Sequence, residues 1–310
     1  MTRDYLSSLD YDAVTIMRLF ELAAEIKAAT RRRQYLDVLA GRSAAMIFQK
    51  PSLRTRVTFD LGMKQMGGHA VYLGPSEISM GERESVSDVG RNLERWVDLI
   101  IARVFGQEIV EELAEVAGVP VINALSDEEH PCQAMTDFFT LYEKGMRWSE
   151  LKLAYIGDGN NVCTSLMYVA ALLGAEMRVG GPAQYPPPAE VVARVEEINR
   201  TSGGRLLITT DPREAVRHAN AVYTDVWASM GQEHEAAARR RTFLSYQVNA
   251  KLMAEAEPGA FFMHDLPAHR GEEVTADVMD GPNSICFDQA ENRLHAQKVI
   301  ILESLGLISE

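Results

Sequence analysis

Two successive series of short apolar segments, each followed by a stretch of helical periodicity, constrain this chain more than any other feature. In the first series, residues 44–48, 70–73, 99–104 and 119–124 read as strands, with helices at roughly 53–66, 86–97, 107–117 and 131–144. The pattern pauses at a polar connection near residues 144–148. A second series then places strands at 153–156, 176–179, 206–209, 221–224 and 260–263. An amphipathic helix over residues 12–29 opens the chain and another over 291–305 closes it. Strands that alternate with helices pair in parallel, and a parallel sheet is covered on both faces. The pattern therefore predicts an α/β chain of two doubly wound parallel-sheet domains linked by helices. The expected boundaries are 1–146, 147–292 and a C-terminal helix at 293–310 that packs back on the first domain. A length of 310 residues suits two domains. The breaker cluster at residues 180–188, with Pro186, Pro187 and Pro188, reads as a surface loop.

Charge and cysteine usage narrow the partners. The formal net charge of −13 argues against nucleic acid, since phosphate backbones require a basic face. Cys132, Cys163 and Cys286 are far apart and odd in number, with neither disulfide nor metal spacing, which implies a reducing compartment. Asp4, Asp10, Asp12 and Glu21 suit neither a signal nor a transit peptide, and no apolar run reaches the length of a membrane span. The expectation is a cytoplasmic protein with no membrane partner, no metal and no cofactor.

In open α/β sheets, ligands bind beyond the C-terminal ends of the strands, and the chain's chemical motifs fall there. Ser52-Leu53-Arg54-Thr55-Arg56 joins a strand to a helix. A helix start offers N–H groups and the positive end of its dipole to an anion, and the two arginines add fixed charge. The same residues also suit a capped helix with two solvated arginines. Arg103 ends a buried strand, where a charge either meets a ligand or reaches solvent. His130-Pro131-Cys132-Gln133 opens a helix, with Pro131 at its first position. A helix start favours neutral His130, which then either caps the helix or donates to a carbonyl oxygen, while Gln133 suits an amide. Together these parts suit an oxyanion and a neighbouring carbonyl.

The Ser-x-Arg-Thr-Arg run and the His-Pro-Cys-Gln motif resemble the carbamoyl-phosphate site of aspartate and ornithine carbamoyltransferases. The likeness extends from the Phe48 region to the last helix. It implies that Ser52, Leu53, Arg54, Thr55, Arg103, His130, Gln133, Leu266 and Arg293 bind carbamoyl phosphate, with Arg103 and His130 catalytic. It further implies transfer of the carbamoyl group to ornithine in arginine metabolism, and a homotrimer or a multiple of one.

In the second series, Gly157-Asp158-Gly159-Asn160-Asn161 looks like a dinucleotide turn, but Val162 stands where the third glycine belongs. The run instead resembles the start of the ornithine-binding domain. Asp225 follows a strand and precedes Ser229-Met230-Gly231; a carboxylate there either holds an ammonium group or caps the loop. By resemblance, Asn161, Asp225, Ser229 and Met230 bind ornithine, and the loop at 229–231 acts as a lid. His264-Asp265-Leu266-Pro267-Ala268-His269-Arg270-Gly271-Glu272-Glu273 resembles the family's His-Cys-Leu-Pro loop, with Asp265 in the cysteine's place. The backbone role assigned to that cysteine survives the change. A carboxylate at 265 can hold the incoming ammonium or take its proton, so Asp265 joins the catalytic candidates. Burial and like charge are expected to raise its pKa. Ser79 stands where the family often has glutamine and is left out of the site. Two other readings stay open: a carbamoyltransferase for another amine, such as putrescine or an acylated ornithine, and a non-catalytic ligand-binding relative.

Overall fold

The computed structural model describes residues 3–78, 80, 81, 83–228, 231 and 233–308. It divides into two compact units, Met1–Phe139 with Glu291–Glu310, and Thr140–Ala290. The first holds a parallel sheet of β1 (Ser43–Phe48), β2 (His69–Leu73), β3 (Leu99–Arg103) and β4 (Val121–Leu125), in the order β2-β1-β3-β4. The second holds β5 (Lys152–Ile156), β6 (Glu176–Gly180), β7 (Arg205–Thr209), β8 (Ala221–Thr224) and β9 (Phe261–Met263), in the order β7-β6-β5-β8-β9, again all parallel. The α/β reading of the sequence stands, with two parallel-sheet units.

The central strand runs form these sheets because they are apolar on both faces. Every residue of β3 and β4 is buried, and each fully buried Leu, Ile or Val side chain contributes about 1.5–3 kcal/mol relative to exposure. β2 is an edge strand and remains half-exposed. In both sheets the strand order reverses beside the first strand. The reversal falls between β1 and β3 in the first unit, where Phe48 pairs with Arg103, and between β5 and β8 in the second, where Ile156 pairs with Thr224. Such a reversal opens a crevice at the carboxyl ends of the strands. It brings Gln49–Ser52 beside Arg103 in one unit and Gly157 beside Asp225 in the other.

Around Lys27, His295 and Lys298 the first unit buries several groups that usually carry charge. Lys27 donates to Asn292 at 2.7 Å, and Lys298 to Gln65 at 2.6 Å and Thr30 at 3.0 Å. Burial, then Lys298 and Lys27, lower the His295 pKa to about 3; Glu291 opposes them and Arg31 adds to them. The folded state therefore holds this ring neutral, while an unfolded chain protonates it near 6.5. Its contribution is fully present above pH 6.5 and is lost as pH falls toward 3. Between pH 7 and 5, the parent should lose about 2 kcal/mol more unfolding free energy than His295→Gln. Urea titrations at both pH values measure this, and equal losses would show that His295 does not titrate on unfolding.

Candidate functional site

In the first unit, Ser52 is the N-cap of the helix Leu53–Gln65. Its extended backbone lets Oγ accept from the Thr55 amide at 3.2 Å, which satisfies one donor of the first turn. Leu53 is 74% exposed, so at this helix start only its backbone is placed beside Ser52 and Arg54. Arg54 lies half-buried in the same turn. Thr55 is fully buried, and its hydroxyl meets Ser52 Oγ at 3.0 Å and Arg293 Nη2 at 3.0 Å.

Arg103 is buried at the end of β3, just where the β3–β4 register shifts. His130 is buried immediately before the helix Pro131–Glu143, and its carbonyl accepts from the Gln133 and Ala134 amides. Burial first, then Arg293, Arg103, Arg54 and Lys50, hold its pKa well below 6.5. His130 is therefore a neutral imidazole among cations. Gln133 donates to the buried Asp137 at 2.8 Å and accepts from Arg293 Nη1. Asp137 was not anticipated, although its i+4 spacing from Gln133 on one helix face made the contact available. Lys50, also unanticipated, pairs with Asp127 and lies 4.5 Å over the Phe105 ring. The unit thus gathers Lys50, Arg54, Arg103 and Arg293 around His130 in a protein of net charge −13.

In the second unit, Gly157 and Gly159 follow β5. A Cβ at Gly159 would lie 2.3 Å from the Pro187 nitrogen, so only glycine fits. Gly159 N donates to the Tyr185 carbonyl at 3.0 Å, and Pro187 is buried. The proline-rich segment is thus more than a surface loop: it packs under the turn that carries Asn160 and Asn161. Asn160 caps the helix Asn161–Leu172, accepting from the Val162 and Cys163 amides, and its Nδ2 donates to Asp225 Oδ2 at 2.7 Å. Asn161 lies half-buried at the first helical position. Asp225 is buried directly after β8 and also accepts from the Val226 amide at 2.7 Å. Ser229 and Met230 lie outside the described residues, as does Ser79.

Arg239, buried on the helix Ala236–Phe243, fastens the loops after β5 and β8 together. Nη1 reaches Asp158 Oδ2 at 2.5 Å and the Trp227 carbonyl at 3.1 Å, Nε reaches Glu235 at 2.9 Å, and the guanidinium lies 4.5 Å over Tyr185. In sequence it reads only as one of three consecutive arginines.

After β9, Asp265 is largely buried and His264 fully so. His264 Nε2 faces the buried Glu273 at 3.2 Å, and Nδ1 accepts from the Leu266 amide at 2.9 Å with Asp265 Oδ1 3.3 Å away. Leu266 has a φ of +64°, and its bond to Pro267 is cis. Two effects conflict at the His264 ring. Burial disfavours a charged ring, whereas the carboxylates of Asp265 and Glu273 beside its two nitrogens favour one. A second proton, on Nδ1, would collide with the Leu266 amide hydrogen. That amide is fixed by the backbone and makes the closer contact, so we assign a neutral ring with its proton on Nε2. Asp225, His264 and Asp265 have donor atoms within 4.8 Å of one another, as do His269, Glu272 and Glu273. Both groups are already bound into protein hydrogen bonds through Asn160, Leu266 and Glu273.

Four cations around a neutral imidazole in one unit, and neighbouring buried carboxylates in the other, suit an enzyme of the group-transfer class. Residues 3–143 match the carbamoyl-phosphate-binding domain model of the aspartate/ornithine carbamoyltransferases, and residues 149–303 match their Asp/Orn-binding domain model. The chain belongs to the aspartate/ornithine carbamoyltransferase family. It is 47% identical over 303 residues to an ornithine carbamoyltransferase of Anoxybacillus flavithermus, covering 98% of this chain and 96% of the relative. It is 48% identical over 304 residues to an anabolic ornithine carbamoyltransferase of Pyrococcus furiosus, at the same coverage. The solved structure of the ornithine carbamoyltransferase from Pyrococcus furiosus superposes with a TM-score of 0.96 at 48% identity, covering 99% of this chain and 98% of that one.

Proposed function

We propose that this protein transfers the carbamoyl group of carbamoyl phosphate to the δ-amine of L-ornithine, giving L-citrulline and phosphate. The observation that carries the reading is the set of four cations around the uncharged His130, at a capped helix start. That set suits a phosphate leaving from a polarised carbonyl. Identities near half over the full chain to proteins named for ornithine support the amine, and neither putrescine nor an acylated ornithine is favoured. Residues 1–146 would bind carbamoyl phosphate and 147–292 ornithine, with the helix at 293–310 contributing Arg293 to the first substrate.

Catalysis in this reading is positioning and charge stabilisation. Ser52, Arg54, Thr55 and the Leu53 backbone hold the phosphate, and Arg293 shares its charge. Arg103, His130 and Thr55 polarise the carbonyl and stabilise the oxyanion of the tetrahedral intermediate. Gln133 and the Leu266 carbonyl orient the carbamoyl NH2. Asn161, Asp225, Ser229 and Met230 fix ornithine, and Asp265 meets its δ-amine. The δ-ammonium gives one proton to Asp265, the neutral amine attacks the carbamoyl carbon, the C–O bond to phosphate breaks, and the departing phosphate takes the proton left in excess on the attacking nitrogen.

The same reading includes a homotrimer and a cytoplasmic setting. Supporting the first, edge strand β2 leaves Val71 exposed, and Trp96, 70% exposed, borders a cavity of about 360 Å³ in the first unit. Supporting the second, all three cysteines are buried free thiols, and among the described residues no helix is long and apolar enough to cross a membrane.

The test is citrulline formation by the purified protein with carbamoyl phosphate and L-ornithine, followed from about pH 6 to 10 to cross the amine's titration. Turnover is expected to require ornithine. Product from putrescine or N-acetylornithine in its place would overturn the assignment, as would no turnover with any of the three.

A further inference from the structure

We propose that Asp225 and Asp265 form a carboxyl dyad that holds one shared proton in the unliganded protein, and that seating the substrate's δ-ammonium expels it. This inference rests on the ornithine reading above.

Geometry carries the argument. The two side chains come off the ends of neighbouring strands, β8 and β9, and their oxygens lie within 4.8 Å of each other and of a His264 ring nitrogen. Asp225 is 6% exposed. An ionised carboxylate only accepts, so two neighbouring acids can share a hydrogen bond only when one of them carries a proton. Two bare carboxylates this close in a buried pocket would repel strongly, which favours keeping one proton between them.

The surrounding groups leave that proton in place. Asn160 Nδ2 and the Val226 amide each donate to Asp225 and fix its side chain, but neither brings the positive charge that would ionise both acids. On the far side of Asp265, His264 turns a lone pair to the Leu266 amide and its proton to Glu273, so it hands no proton to Asp265. Glu273 is also contacted by the His269 amide, with His269 Nδ1 3.8 Å away. Tyr155 and Cys163, which face the dyad from β5 and the helix after it, are neutral, their pKa values raised first by burial. The charge of Asp158 is matched by Arg239. In agreement, the Asp225 carboxyl is pushed well above the usual carboxylate range, by burial first and then by the charge of Asp265.

An ammonium group changes the balance. It brings a positive charge and three N–H donors to a pocket holding one negative charge and one acid proton. Ionising the dyad gives the ammonium two acceptors. The acid O–H bond breaks, its electron pair stays on the carboxylate oxygen, and the proton leaves to buffer. Apparent affinity for ornithine should therefore fall about tenfold per pH unit below the dyad's apparent pKa and level off above it. A cysteine at position 265 forms no such carboxyl pair, so the coupling is specific to a chain with Asp265.

Infrared spectroscopy and calorimetry test this together. The free protein at neutral pH should show the C=O stretch of a protonated carboxylic acid, and Asp265→Asn and Asp265→Cys should both lack it. L-Ornithine should bleach the band, and 2-aminopentanoic acid, which has the same carbon chain without the terminal amine, should not. Titrations in two buffers of different ionisation heat should show about one proton more released by the parent than by Asp265→Cys. Absence of the band from the parent, or its persistence with ornithine bound, would overturn the dyad. Ornithine that gives no binding heat, with the band present and dependent on Asp265, would sink the ornithine reading and the expulsion step but leave the shared proton standing.

Discussion

Arg54→Ala should raise the KM for carbamoyl phosphate by about two to three orders of magnitude, the loss of roughly 3–4 kcal/mol from a charge-assisted contact with a dianion. Arg54 stands in the first turn of the helix that Ser52 caps, so its charge adds to backbone donors already aimed at an anion. Arg54→Lys should recover part of the loss, because an ammonium supplies charge without the guanidinium's planar fork. The same substitution should leave the fold as stable as before, or more so. Arg54 acts in the same local field as Lys50, Arg103 and Arg293, all of which oppose protonation of His130. Removing one of four like charges relieves repulsion in a protein with no anion bound. Loss of activity without loss of melting temperature therefore separates a binding role from a folding one. Steady-state kinetics with each substrate varied completes the test. An ornithine KM that rises as much as the carbamoyl-phosphate KM would contradict assigning Arg54 to the phosphate.

The sheets were legible in the sequence because buried central strands such as β3, β4 and β8 are apolar on both faces, and nine short strand runs alternate with helical stretches. The local parts of the site were legible for a related reason. A strand-to-helix turn such as 48–56 or 124–133 carries its cap, its charges and its helix start within a few residues. The contacts that join those parts were not. Arg293 reaches Thr55 across 238 residues and Gln133 across 160, and nothing in the periodicity of the last helix marks that residue as facing a ligand. Arg239 was hidden among Arg239-Arg240-Arg241, where only burial distinguishes it. The meeting of Asp225 with Asp265 depends on β8 and β9 being neighbours in the sheet. Sequence order permits that pairing without requiring it. Asp265 was noticed as a departure from the family's loop, but whether its carboxylate met a cation or another acid depended on the sheet.

The two sites solve opposite electrostatic problems. The first gathers cations, which the proposed reading gives to an anionic substrate, and keeps its histidine uncharged. The second gathers acids for a cationic amine, and the dyad relieves their repulsion by holding a proton. In each, the ligand supplies the missing charge, so each substrate should stabilise the fold by removing like-charge repulsion as well as by making contacts.

His130→Ala should lower kcat by about two to three orders of magnitude, the range for loss of one oxyanion donor. The case rests on the charge state of the ring. Burial first, then Arg293, Arg103, Arg54 and Lys50, keep it unprotonated well below pH 6.5. A neutral imidazole has one N–H to donate, and four nearby cations make it a stronger donor while preventing it from picking up a second proton. Its work is then hydrogen bonding to the developing oxyanion, with no proton transferred. Two consequences separate this from general acid catalysis. The parent's kcat should show no inflection near pH 6.5 that disappears in His130→Ala, so the variant's profile should be the parent's displaced downward with its shape kept. His130→Asn, which retains an N–H donor on a shorter side chain, should recover part of the rate. A parent profile with an inflection near pH 6.5 that His130→Ala abolishes would instead mean that the ring titrates in the working enzyme. The cations around it would then be serving the phosphate alone.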